Sequence, residues 1–122
     1  MLRLARFLYL LILIVVFVSP TASLAEVIER ISVNGSGSEG NSASFEPSIG
    51  TDGRYVAFSS YANNLVAGDT NDVTDVFLRD RIAGMTIRLS VTAEGVEGDE
   101  QSGRPRISGQ AEYAAFDTDA GN

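Results

Sequence analysis

The chain has 122 residues, nine basic and sixteen acidic, for a formal charge of −7. It contains no Cys, His, Trp or Lys, so all nine basic residues are Arg. That excludes a disulfide framework, Cys or His metal ligation and Ser-His-Asp or Cys-His catalysis, and an acidic chain without a basic patch is a poor partner for nucleic acid.

The chain opens with Arg3 and Arg6, then twelve apolar residues, Phe7 to Val18. Ser19-Pro20 breaks the run, and small residues stand at Ser23 and Ala25. This three-part layout predicts a signal-peptide helix over 1–25, cleaved after Ala25, with a secreted or periplasmic product. Twelve apolar residues rise only about 18 Å as a helix, short of a hydrocarbon core of roughly 30 Å. Membrane contact is therefore expected to be transient; an uncleaved anchor is the competing reading. The processed chain, 26–122, keeps sixteen acids and seven Arg, a charge of −9.

The remainder is rich in Gly, Ser and Asp, with short apolar stretches and no convincing helical period. Glu29–Val33 alternates polar and apolar, as a half-buried strand does. Gly35–Ser44 reads as a loop and Pro47–Ile49 as a short extended piece. Asp52-Gly53 signals a tight turn, because Gly takes positive φ at little cost. Arg54–Ser59 is nearly continuously apolar, which predicts a strand buried on both faces. Asp75–Arg81 and Met85–Val91 are further strands joined by a turn at Ala83-Gly84.

An internal repeat organises these pieces. Ile28–Asn64 laid over Thr86–Asn122, an offset of 58, matches at fourteen of 37 positions without a gap. The matches include Arg30/Arg88, Glu39/Glu97, Pro47/Pro105, Tyr55/Tyr113, Phe58/Phe116 and Asn64/Asn122. A first repeat spans about 28–85, and an incomplete second spans 86–122. About four antiparallel strands per period is the content of one β-propeller blade. The expected fold is all-β, with about one and a half blades of 58 residues; a β-solenoid is the rival, though its repeats are usually shorter. The chain reads as the front of a longer product, in which further blades or self-association complete the fold. In the second copy Gln110-Ala111 replaces Asp52-Gly53, so the turn is expected to shift onto Gly109.

The run from Pro47 to Ser60 (PSIGTDGRYVAFSS) resembles the core motif of TolB-like, WD-repeat-like β-propeller repeats. Asn64–Asp72 and Asp75–Arg81 are similar to a long-loop bacterial subgroup of them. The resemblance implies a propeller working in the periplasm or at the cell surface. For function it is weak, because such propellers serve as scaffolds, partner docks and accessory domains of peptidases.

The best chemical candidate is the acidic loop Asp69–Asp75. Asp69, Asn71 and Asp75 have a spacing reminiscent of a calcium loop, and Asp80 stands eleven residues after Asp69. Thr74 stands where such a loop needs Gly, and Asn and Asp also favour plain turns. The Glu94–Glu100 stretch reads as a solvated loop. Tyr55, Phe58, Tyr113 and Phe116 read as core aromatics. Ser59 and Ser60 have no base partner, and Arg79 and Arg81 are expected to pair with Asp80. These features favour a non-enzymatic, exported scaffold that binds another protein, with no catalytic residue and no resident cofactor. The alternatives are the accessory propeller of an exported hydrolase, whose catalytic domain would carry Gly-x-Ser-x-Gly, and a calcium-binding surface protein.

Overall fold

The computed structural model describes residues 28–122; the expected signal-peptide segment, 1–25, lies outside them. The chain is all-β, with no helix among the described residues. Four strands, β1 (Ser44–Ile49), β2 (Tyr55–Ser60), β3 (Asp75–Asp80) and β4 (Met85–Arg88), form an antiparallel sheet in sequential order. Two more, β5 (Ser102–Ile107) and β6 (Ala114–Thr118), pair antiparallel in a second sheet.

The expectation for Arg54–Ser59 holds in substance. Residues Val56 to Ser60 of β2 are all buried, so both faces of this strand are covered. Its register with β3 sets Phe58 opposite Phe77, and their rings stack at 5.8 Å. Ala62 and Leu65, from the loop after β2, fold back onto these rings, and Ile31 and Val66 pack at the margin. The opposite face carries Ala57 and Ser59 of β2 with Val76 of β3, all buried. The second sheet lies over that face: Ile107 N–H donates to Ser48 Oγ at 3.2 Å, and Pro105 is almost fully buried.

Backbone contacts fix the seating. Thr51 N–H donates to the Gly109 carbonyl, and Ser102 N–H to the Thr74 carbonyl, each at 2.8 Å. A Cβ on Gly50 would stand 2.7 Å from the Gly109 oxygen, and one on Gly109 would collide with Thr51 Oγ1. Glycine at both positions is thus a requirement of close approach.

Local geometry recurs 58 residues apart. β5 has the bounds of β1 moved by that interval, and both carry a bulge, between Phe45 and Ser48 and between Gly103 and Arg106. In each, the residue before proline has positive φ: Glu46 at 55° and Arg104 at 52°. Isolated bridges join Val33 to Glu39 and Val91 to Glu97. Asn64 Nδ2 donates to the Glu39 carbonyl and Asn122 Nδ2 to that of Glu97.

Several expectations need correction. Glu29–Val33 is not a strand: it makes only the bridge at Val33, since no neighbouring strand satisfies its backbone. β1 starts at Ser44, inside the expected loop, and β4 ends at Arg88 rather than Val91. The second turn does not shift to Gly109. It keeps the first turn's register, and Ala111 takes the left-handed conformation at φ 56° where Gly53 has 71°. Tyr113 is 76% exposed and so is no core residue, because the described residues place no third strand beside β6.

One flank of the first sheet remains open. Ile31, Pro47, Ile49 and Val56 line a shallow apolar hollow rimmed by Glu29 and Arg81, and Ile49 is 63% exposed.

Candidate functional site

The acidic loop after β2 closes around an arginine. Arg88, the last residue of β4, sends a nearly buried guanidinium into it. Its Nη1 lies 3.4 Å from Asp69 Oδ1, 3.3 Å from Asp75 Oδ2 and 2.9 Å from Glu97 Oε2. Nη2 donates to the Gly68 carbonyl at 3.2 Å. Asp75 also accepts from Ser90 Oγ at 2.5 Å. Three carboxylates therefore surround one positive charge.

The structure does bring Asp69, Asn71 and Asp75 together, beside Arg88. Asn71 turns its amide nitrogen inward, donating to Asp75 at 3.1 Å and to the Gly98 carbonyl at 2.9 Å. Both partners are acceptors, which fixes the amide's orientation. Its oxygen faces its own loop, accepting from Val73 N–H at 3.3 Å. A hard cation needs oxygens converging on one point. Here Asp69 and Asp75 already converge on Arg88, and among the described residues no acidic group has a metal-holding arrangement. Asp80 is at the far end of β3, about 17 Å from Asp75 along a strand.

Charge balance is uneven within the cluster. Burial pushes the Asp69 carboxyl up to about 6, and the nearby Asp75 adds to the rise against the pull of Arg88. Glu97 goes the other way, held below its ordinary range by hydrogen bonds from Thr70 and then from Arg88. Thr70 donates to it through both its N–H and its hydroxyl. The Glu94–Glu100 loop is therefore not wholly solvated, since Glu97 ties it to the loop after β2.

Asp80 pairs with neither Arg79 nor Arg81. It takes three contacts from Arg54, two from Nε and one from Nη2 at 2.6 Å, and this lowers its pKa well below the usual carboxylate range. The Arg54 guanidinium also lies 4.8 Å from the centre of the Tyr55 ring. Arg81 instead reaches Glu29 at 2.7 Å, and Arg79 reaches the Asn34 carbonyl and Thr86 Oγ1. Alternation explains this: neighbouring residues on a strand point to opposite faces.

A second site lies between the sheets. Phe45, Glu46 and Tyr61 of the first sheet face Arg104, Asp117 and Asp119 of the second across an open groove of about 530 Å³. Phe45 and Tyr61 form a tilted pair 5.6 Å apart, and they are 36% and 51% exposed. Glu46 Oε2 accepts from Arg104 N–H at 2.8 Å and from Ser59 Oγ at 3.1 Å. Ser59 thus has a carboxylate partner after all, but its hydroxyl is fully buried and cannot meet a substrate. Arg104 is paired with Asp117 at 2.7 Å.

Arg88, Glu46 and Arg104 were not singled out by sequence reasoning. For Arg88 a signal existed, because the Arg88/Glu97 pair recurs as Arg30/Glu39, which also forms an ion pair, at 3.3 Å. Glu46 and Arg104 occupy the same place in the repeat alignment with opposite charge, so matching residues could not reveal them. No family model, curated protein or solved structure matches the chain.

Proposed function

We propose that this chain is an exported, non-enzymatic β-propeller module that binds another protein. One observation carries the fold part of this reading. A four-stranded antiparallel sheet, with its central β2 covered on both faces, has a second sheet stacked on it. The bulge and the positive-φ residue before proline recur in that second sheet at an interval of 58 residues, and the isolated bridge recurs in the loop leading into it. Stacked, repeated, four-stranded sheets are the construction principle of a propeller. Strands on the open flank would receive a neighbouring blade in the same way.

The binding part rests on the surface. The groove between the sheets is lined by exposed aromatic and charged side chains on rigid strands, which suits recognition of a partner. Ser59, whose hydroxyl donates to the groove-lining Glu46, is itself fully buried, which argues against nucleophilic chemistry by this pair. Export rests on the leader pattern of residues 1–25.

Site-specific photo-cross-linking in the producing cell tests the reading. A photoreactive residue at Tyr61, in the groove mouth, is expected to join the exported chain to one discrete protein. The same residue at exposed Ile82, in the β3–β4 turn, is expected to give none. A chain retained in the cytoplasm, or one giving no adduct from either position, overturns it.

A further inference from the structure

The groove carries an unbalanced charge. Glu46, Asp117 and Asp119 face it against the single guanidinium of Arg104, and that guanidinium is already engaged by Asp117. Both protein hydrogen bonds to the Glu46 carboxylate fall on Oε2. The side chain is thereby held in place with Oε1 left for another partner. Beside it, Phe45 and Tyr61 present exposed aromatic surface.

The chain shows what such a combination holds. At the β2–β3 end, the Arg54 guanidinium is gripped by the Asp80 carboxylate and lies against the Tyr55 ring. A carboxylate supplies charge-assisted hydrogen bonds, while an aromatic face attracts the cation through its quadrupole. The groove offers the same two elements, and its own cation, Arg104, is already paired with Asp117 rather than with Glu46.

We propose that the groove between the sheets binds a positively charged side chain, arginine or lysine, presented by the partner polypeptide. Glu46 is its anchoring carboxylate, Asp117 and Asp119 supply the surrounding negative field, and Phe45 with Tyr61 forms the aromatic wall. The inference deepens the reading of the chain as a binding module by naming the chemistry of what is bound. Hydrogen bonding supports the choice of anchor: the Glu46 carboxylate reaches the second sheet, where its Oε2 accepts from Arg104 N–H at 2.8 Å.

The test is calorimetric titration of the full chain with two peptides, acetyl-(Gly-Arg)3-amide and its neutral counterpart acetyl-(Gly-Gln)3-amide. Saturable binding of the first and none of the second is expected. Glu46→Gln should weaken binding at least about fivefold, because the amide keeps the acceptor for Arg104 N–H but loses the charge. Tyr61→Ala, at a half-exposed position where folding is not at stake, should weaken it about threefold. The double change Glu94→Gln with Glu112→Gln removes two exposed acids outside the groove and should alter binding less than about twofold. Equal binding of both peptides overturns the proposal. So does wild-type affinity in both Glu46→Gln and Tyr61→Ala, or an equal loss in the Glu94/Glu112 variant, which would mean diffuse charge attraction. A photo-adduct at Tyr61 combined with a failed titration would leave a binding module whose ligand is not cationic.

Discussion

Ala111 and Gly53 occupy the same place in two turns, and both have positive φ. The left-handed region costs a residue with a Cβ about 1–2 kcal/mol, while Gly carries a larger entropy loss on folding. Ala111→Gly is therefore expected to stabilise the chain by about 0.5–1 kcal/mol, and Gly53→Ala to destabilise it by about 1 kcal/mol. Urea unfolding midpoints would read both. A second residue-scale effect follows from Asp69. Its carboxyl is raised on folding from 3.8 to about 6, so it holds a proton more firmly in the folded state. Its stabilising contribution is present below the unfolded value and lost as pH rises through about 6. Asp80 and Glu97, both lowered, contribute in the opposite sense: present above the ordinary carboxyl range, lost on acidification. Asp69→Asn should thus raise the melting temperature at pH 7.5, by the equivalent of about 1 kcal/mol after solvent screening, and change little at pH 4. A gain at both pH values would contradict that account.

β2 and β3 are the elements that make the first sheet a folding unit. Phe77 is fully buried, stacks on Phe58 and touches the residues that fold back from the loop after β2. Phe77→Ala should cost about 3–5 kcal/mol, enough to unfold much of a small domain, and loss of the cooperative thermal transition would record it. This part of the fold was legible in the residues, because a run such as Tyr55–Ser60 has no polar face to offer water. The Asp52-Gly53 turn was legible for the same kind of local reason. The cage around Arg88 was less so. The loop's acids were visible, but the cation that answers them arrives from β4, and spacing within a loop carries no information about a strand lying beside it. Glu29–Val33 failed as a strand because alternation describes a side-chain pattern and does not supply a hydrogen-bonding neighbour.

At the level of the whole molecule, two sheets share one covered face while the opposite flank of the first sheet stays open. Ile49 and Pro47 meet solvent there, over the buried Val56 and beside the outer strand β1. The chain is acidic, with a formal charge of −7, so copies repel one another in dilute buffer. That repulsion is long-ranged only where counterions are scarce, and its reach falls from about 30 Å at 0.01 M salt to about 3 Å at 1 M. The apolar hollow feels no such screening. Colloidal behaviour should therefore be set by ionic strength before temperature: the hydrodynamic radius from light scattering is expected to hold steady at low salt and climb as NaCl is added. Ile49→Asp should flatten the climb, since it places a charge in the hollow itself. For this chain, brine would be the harsher solvent and fresh water the kinder one.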